Sequence, residues 1–312
     1  MKSLTILVPT FQEEDNISEC ARIIDHLCTR LRSTLMLQVD VLIVDNHSKD
    51  ATFQMASEIA SGRLGWSVIQ LDRNYGVQGS LLLGMSMVNS DGLLVYQSDL
   101  QDPPEVAFSL VEAWATGKGS VIAGITADRK ERRLDRLGRS LFYSILSKSS
   151  DYGLQPWFHD FYVLDKRVYS RLYRQGFQHE FIRGRIAEEF GVDYAISYSR
   201  NERKHGRSSF NFARKYTMAL DGILRYGSKI SRYVSIGSLC LIVFNFLSVL
   251  ILLSSYIWGY RSPVQGWLSL VCINLIVLSA IGLLIAMVYE FLFRILRLSD
   301  VRDKPVVFRQ SS

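Results

Sequence analysis

The segment richest in chemical possibility is Tyr96-Gln97-Ser98-Asp99-Leu100-Gln101-Asp102-Pro103-Pro104-Glu105, directly after the apolar run Gly92–Tyr96. Asp99, Gln101 and Asp102 place two carboxylates and an amide on one tight turn, the hard oxygen donors that a divalent cation prefers. Pro103-Pro104 begins the next helix and Glu105 falls in its first turn, where negative charge is favoured. On this segment alone, a plain acidic helix N-terminus stays open. Three other polar clusters follow apolar runs in the same way: Pro9–Asn16, Asp45–Asp50 and Asp72–Gly79.

Cationic side chains form a second set. Arg132, Arg133, Arg136 and Arg139 lie in Arg129–Ser147, with Leu141, Phe142, Ile145 and Leu146 following. Arginine beside apolar side chains suits a surface where lipid meets phosphate, and a solvated basic helix is the alternative. A further basic stretch runs from Arg200 to Arg214. The net charge is +6 and the pI about 9.1. The placement of these cations fits anionic headgroups and phosphorylated ligands better than nucleic acid, for which no recognition module is visible. The histidines, His26, His47, His159, His179 and His205, make no metal spacing, and Cys20, Cys28, Cys240 and Cys272 make no CxxC. The cysteines read as buried, reduced thiols.

The elements that must position these residues follow from periodicity. Leu4–Val8, Val39–Val44, Trp66–Leu71 and Gly92–Tyr96 are β-rich runs, and helical spacing separates them, as at Ile17, Cys20, Ile24, Leu27 and Leu31. Alternation of strand and helix predicts an α/β fold with a mostly parallel, Rossmann-like sheet. In such sheets ligands sit outside the carboxyl ends of the strands, so one crevice should collect all four polar clusters. The opening run MKSLTILVPT is too short for a signal peptide core and reads as the first strand.

From Tyr233 to Phe293 the only charged residues are Arg261 and Glu290. Segments 234–258 and 267–293 exceed the roughly 20 apolar residues that cross a bilayer, and the short loop between them makes a transmembrane hairpin. Residues 1–225 are then a catalytic-sized domain, 226–233 a juxtamembrane segment and 294–312 a basic tail. Arg225, Lys229 and Arg232 precede the first span; Arg294, Arg297, Arg302 and Lys304 follow the second. The positive-inside rule puts the domain and both termini in the cytoplasm. Tyr233, Trp258 and Trp267 read as interfacial anchors.

Taken in order, these motifs resemble the family 2 glycosyltransferases of the polyprenyl-phosphate type, the dolichyl-phosphate mannose synthases and bactoprenol glucosyltransferases, over nearly the whole chain. The resemblance implies a GT-A-like domain. Pro9-Thr10-Phe11-Gln12-Glu13-Glu14 stands for the family's Pro-x-[Tyr/Phe]-Asn-Glu turn, which implies that Pro9, Phe11 and Glu13 hold the nucleotide. Asp45-Asn46-His47-Ser48-Lys49-Asp50 stands for Asp-Asp-Gly-Ser-x-Asp, with Asp45 on the base and with Asn46 and His47 as departures. Arg73-Asn74-Tyr75-Gly76 matches Arg-Asn-x-Gly, so Arg73, Asn74 and Gly76 form a turn under the donor. Gln97-Ser98-Asp99-Leu100-Gln101-Asp102-Pro103-Pro104-Glu105 matches Asp-x-Asp-x-Gln-Asp-Pro-Pro-Glu except at Gln97. Ser98 and Asp99 would then contact the nucleotide-sugar, with Asp99 and Gln101 on a Mg²⁺ or Mn²⁺ ion.

The family's basic helix implies acceptor contacts by Arg133, Arg136 and Arg139, and its Asp-Phe-Arg-Leu motif becomes Asp160-Phe161-Tyr162-Val163, with Tyr in place of Arg. Its last soluble motif, Tyr-x-Arg-x-x-Arg-x-x-Gly-x-[Ser/Thr]-Lys, spans Tyr198–Ser209, with Arg200, Arg203 and Ser208 matching and Ser209 in the place of Lys. Asp99, Asp102, Asp160, Arg200 and Arg203 form the expected catalytic set and Ser208 joins the acceptor contacts. The reaction implied is one inverting transfer from a nucleotide-sugar, UDP- or GDP-linked, to polyprenyl phosphate at the cytoplasmic face of a membrane, which the resemblance implies is the bacterial inner one. The departures leave two rivals open: another membrane lipid as acceptor, or a catalytically weakened partner that binds nucleotide or lipid. Homo-oligomerisation is an open expectation.

Overall fold

The computed structural model describes residues 1–126, 158–174, 182–201, 228–259, 266–298 and 307–311. They fall into two compact units, the first holding the sheet and the second holding two long helices.

In the sheet unit, β1 (Ser3–Thr10), α1 (Glu14–Leu35), β2 (Gln38–Asp45), α2 (Thr52–Ser61), β3 (Trp66–Leu71), α3 (Gly76–Met87), β4 (Gly92–Val95) and α4 (Pro104–Ala115) alternate as the periodicity requires. Then come β5 (Val121–Thr126), β6 (Phe158–Asp165), α5 (Lys166–Arg174), α6 (Ile182–Glu189) and β7 (Tyr194–Tyr198), with β8 (Val307–Ser311) after the long helices. The strand order is β7-β5-β6-β4-β1-β2-β3-β8. β1 pairs in parallel with both β2 and β4, and β2 with β3. β6 is antiparallel to β4 and β5, β7 is parallel to β5, and β8 is antiparallel to β3. The sheet is mostly parallel, and its order reverses around β1 and β4, the switch point where such folds open a crevice.

Burial on both faces explains the near-continuous apolar strands. Leu4, Ile6 and Val8 of β1 face one cluster with α1, α2 and α4, while Leu7 faces the other with α3, α5 and α6. Helix α1 buries Ile17, Cys20, Ala21, Ile24, Leu27, Cys28 and Leu31, one stripe at helical spacing, and ends where Met36 turns left-handed at φ 53°. Burial raises the Cys20 thiol far above its usual range and the Cys28 thiol to about 12, so neither is a ready thiolate.

The second unit contains α7 (Ser228–Ile257) and α8 (Trp267–Leu298). Within them Ile236–Ile257 and Ser269–Tyr289 are long and apolar enough to cross a membrane. Leu239, Phe244, Ile251, Ile276, Leu284 and Phe291 are exposed, unlike the side chains of a soluble core helix. The two helices meet where Gly282 lies against Leu241 and where the buried Asn245 donates to Ser279 Oγ at 2.8 Å and to the Leu275 carbonyl at 3.3 Å. A polar clamp of this kind ties helices together in an apolar surround. Cys240 and Cys272 lie here, exposed and half-exposed, so the expectation of burial holds only for Cys20 and Cys28.

The C-terminal stretch carries more structure than its basic composition announces. Helix α8 runs to Leu298, and Val307–Ser311 adds a strand to the edge of β3. Five residues with three polar side chains in a row, Arg309, Gln310 and Ser311, give little periodicity to read; the open edge of β3 supplies the ordering.

Candidate active site

The four polar clusters converge, because they leave parallel strands at the same edge of the sheet. At the end of β1, the Pro9 carbonyl accepts a hydrogen bond from Ser98 Oγ at 3.2 Å, which joins it to the turn after β4. Phe11 is half-buried there. Gln12, at φ 53°, donates its N–H to Ser48 Oγ at 2.9 Å. Glu13 is buried; its N–H reaches Thr52 Oγ1 at 2.9 Å and its carboxylate accepts from Asn16 Nδ2 at 2.5 Å.

Asp45 ends β2 fully buried. Its carboxylate accepts from the Ser48 hydroxyl, from Ser48 N–H at 3.1 Å and from Gln70 Nε2 at 2.8 Å. Burial pushes its carboxyl above the usual range and these donors pull it back. Asn46, a departure from the family motif, is a brace: its Nδ2 donates to Asn74 Oδ1 and its Oδ1 accepts from Tyr75 N–H, both at 2.9 Å. Asn74 Oδ1 also accepts from Gly76 N–H at 2.8 Å. Gly76 has φ 73°, which a side chain would strain. Arg73 is exposed and stacks on the Tyr75 ring at 4.8 Å.

The acidic turn after β4 is anchored from the far side of the sheet. Arg200 Nε lies 3.1 Å from Asp102 Oδ1, and its Nη2 lies 3.3 Å from Asp99 Oδ2. Tyr198 hydroxyl donates to Asp102 Oδ1 at 2.6 Å, and Tyr96 hydroxyl to the Asp102 carbonyl at 2.7 Å. Asp102 is 2% exposed, so burial raises its carboxyl despite Arg200 and Tyr198. For Arg200 the balance is reversed: burial opposes its charge, but Asp102 and Asp99 outweigh it and raise the pKa. Asp102 therefore braces the turn from within, while Asp99 is half-exposed at the crevice. Leu100 between them takes φ 59°, and Gln101 N–H closes the turn onto Asp99 Oδ1 at 3.2 Å. Gln101 Nε2 donates to the Asn201 carbonyl at 3.2 Å, so its amide oxygen is the end left to accept.

Asp160 starts β6, and because β6 runs against β4 it arrives at the same crevice. Gln97 Nε2 donates to its carbonyl at 3.2 Å, Gln78 Nε2 donates to its Oδ2 at 3.1 Å, and Arg183 Nε stands 3.5 Å from its Oδ1. Gln78 and Arg183 escaped the sequence reading. Gln78 lies two residues past the Arg-Asn-Tyr-Gly turn, a proximity that gave some signal; Arg183 is one basic residue in an unremarkable helix.

The crevice thus gathers Pro9, Phe11, Glu13, Asp45, Asn74, Gly76, Ser98, Asp99, Gln101, Asp102, Asp160 and Arg200. Arg133, Arg136, Arg139, Arg203, Ser208 and Ser209 lie outside the described residues. Among the described residues no three His, Cys, Asp or Glu side chains converge as a metal cage.

The fold is GT-A-like. Glucosyl-3-phosphoglycerate synthase of Mycobacterium tuberculosis, solved in complex with Mn²⁺, UDP and glucosyl-3-phosphoglycerate, superposes with a TM-score of 0.51 at 18% identity, covering 72% of this chain and 78% of its own. The model of Glycosyl transferase family 2 matches residues 5–174, more than half of the chain, and the chain belongs to that family. An uncharacterized glycosyltransferase of Bacillus subtilis, YkcC, is 25% identical over 99% of this chain and 93% of its own. The bactoprenol glucosyl transferase of Shigella phage SfV is 25% identical over 97% of each.

Proposed function

We propose that this family 2 glycosyltransferase moves a sugar from a nucleotide-sugar to a polyprenyl phosphate at the cytoplasmic face of a membrane. The observation that carries the proposal is the extent of the match to the phage bactoprenol glucosyl transferase, which at 97% of the chain includes both long apolar helices. The crevice chemistry agrees with it. Asp45 and the Asn46–Asn74 brace form a hydrogen-bonded flank for base and ribose, with Pro9, Phe11, Glu13, Arg73 and Gly76 beside it. Ser98 and Asp99 would meet the sugar diphosphate.

The Asp99 carboxylate and the Gln101 amide oxygen would hold a Mg²⁺ or Mn²⁺ ion, since such ions take one or two carboxylates plus the substrate. When bound, the ion screens the diphosphate's charge. Arg200, with Arg203, offsets the negative charge that grows on the departing nucleoside diphosphate. The acceptor phosphate oxygen attacks the anomeric carbon as the bond from that carbon to the diphosphate breaks, with inversion. A phosphate monoester is anionic at neutral pH, so no strong general base is required, and Asp160 orients the acceptor region. Arg133, Arg136, Arg139 and Ser208 complete the acceptor contacts.

Membrane topology follows the same proposal. β8 comes after α8 and yet pairs with β3, which precedes α7. A chain that leaves the sheet, spans twice and rejoins the sheet has both hairpin ends on one side. The basic residues flanking the spans favour the cytoplasmic side. The parent test incubates membranes containing the chain with labelled UDP- and GDP-sugars and polyprenyl phosphate. A labelled, chloroform-soluble product released by mild acid is expected; an acid-stable labelled lipid would mean another acceptor, and no product would leave a binding partner.

A further inference from the structure

The proposed acceptor site lacks the cation that the family motif carries two residues after Asp160, because Tyr162 stands there. Tyr162 is fully buried in β6 and, by strand alternation, shares a face with Asp160. The charge is not missing from the place. Arg183, near the start of α6, brings its Nε to 3.5 Å from Asp160 Oδ1, with both side chains 15% exposed. Its placement is fixed by Gln78, which is buried, donates to Asp160 Oδ2 at 3.1 Å and accepts from Ile182 N–H, at the head of α6, at 3.0 Å.

We infer that Arg183 is a binding residue for the phosphate of the acceptor, replacing from α6 the guanidinium that Tyr162 displaces from β6, with Gln78 as its positioning residue. The inference rests on the polyprenyl-phosphate reading above. A cation in the first turn of a helix opposes the helix dipole, a cost that an anion beside it removes. Asp160 alone does not exhaust the role. A phosphate monoester carrying about −1.5 to −2 charge would be repelled by Asp160 unless a cation lay beside both. A planar guanidinium has five donors in a fork and can serve a carboxylate and a phosphate together.

The test measures binding of farnesyl phosphate and of farnesol to the detergent-solubilised full chain, together with binding of UDP and GDP in the presence of Mn²⁺. Arg183→Gln is expected to weaken farnesyl phosphate about tenfold, one charge-assisted contact, while farnesol and the nucleotides stay within about twofold. Adding Tyr162→Arg to Arg183→Gln should recover at least about threefold of the lost affinity, by returning a guanidinium to the strand. If Arg183→Gln does not fold, judged by melting and gel filtration, Arg183→Lys is measured instead, with an intermediate loss expected because a point charge replaces a fork. Unchanged farnesyl phosphate affinity in the folded variant overturns the inference and leaves the acceptor reading standing. So does an equal loss for the nucleotides, which would put Arg183 on the donor side. A wild-type chain that does not distinguish farnesyl phosphate from farnesol overturns the acceptor reading, and the inference falls with it.

Discussion

The two flanks of the crevice are built by different means. On the β1–β2–β3 flank, Asp45, Asn46, Ser48, Gln70 and Asn74 are joined by amide, hydroxyl and backbone donors, and no guanidinium intervenes among these contacts. On the β4–β6–β7 flank, Asp99, Asp102 and Asp160 face Arg200 and Arg183 in ion pairs. The β1–β2–β3 flank is a set of turns whose groups are hydrogen-bonded to one another before any ligand arrives, which suits an uncharged base and ribose. The charged flank holds carboxylates and guanidinium groups in balance, and a phosphate or cation entering it redistributes that balance. Under the proposed function the first flank fixes the donor's orientation and the second responds to charge that moves during transfer.

The sharpest break between the flanks is Asp99→Ala. Asp99 stands half-exposed at a strand end and contributes nothing to either apolar cluster, so the variant should fold, stay in the membrane and lose transfer by at least about 100-fold, the scale of one removed electrostatic contact in an active site. Turnover within about threefold of wild type would remove Asp99 from the charged machinery. Next is Arg200→Ala, expected to lower turnover at least tenfold and also to destabilise the fold by about 2–4 kcal/mol, because Asp102 is left buried with its cation gone. Chemical denaturation separates the two effects. Arg203→Ala should show the loss of turnover, and Arg207→Ala, at a variable position of the motif, should be near neutral. If Arg203→Ala and Arg207→Ala behave alike, the basic loop has no part in catalysis.

How legible each flank was in the sequence follows from how far apart its partners lie. Every βα turn of the β1–β2–β3 flank is contiguous, and an apolar run followed by a polar cluster announces a strand and its ligand-facing end. The crevice, the helix start at Pro104 and the turn at Gly76 were therefore readable, though the left-handed conformation of Gly76 was not. The charged flank depends on pairs from distant segments. Arg200 meets Asp102 because β7 lies beside β5 and β5 beside β6, a strand order that no local pattern encodes. Arg200 was still found, through its motif; Arg183 and Gln78 belong to no quoted motif and emerged only where Ile182 and Arg183 of α6 meet Gln78 of α3 and Asp160 of β6. Asn46 was legible only as a departure, and its role needed Asn74 across the turn. The strand β8 was hidden for another reason: it borrows its order from the β3 edge.

A smaller effect concerns the β1–β2–β3 flank. Asn46→Asp restores the residue of the family motif, and the simple expectation is improvement. The geometry says otherwise. Asn46 Nδ2 donates to Asn74 Oδ1, and an aspartate there would set a carboxylate oxygen against that amide oxygen while keeping only the bond from Tyr75 N–H. The site is 3% exposed, so one lost hydrogen bond with an unsatisfied group costs about 1–3 kcal/mol. Melting curves should show Asn46→Asp to be less stable than wild type, and stability equal to wild type would mean that Asn46 and Asn74 are not a matched pair.

The smallest effect concerns His47, which stands where the family motif has glycine and adopts φ 63°. A left-handed conformation costs a residue with a Cβ about 1–2 kcal/mol, so His47→Gly would relieve strain. Two terms oppose this. Glycine adds freedom to the unfolded chain, a loss of about 0.4–1 kcal/mol. The imidazole Nδ1 also lies 3.1 Å from the Leu71 carbonyl, which can only accept, so the ring donates there, and such a bond contributes about 0.5–1.5 kcal/mol. The terms nearly cancel, and His47→Gly should fall within about 1 kcal/mol of wild type. His47→Ala separates them, since it loses the same hydrogen bond and keeps the left-handed strain. The glycine variant should therefore be more stable than the alanine variant by about 1 kcal/mol in denaturant unfolding, the usual preference for glycine in this backbone region. An alanine variant as stable as the glycine variant would mean that the turn after β2 is not held left-handed in solution, and the preformed character assigned to the β1–β2–β3 flank would fail at that turn.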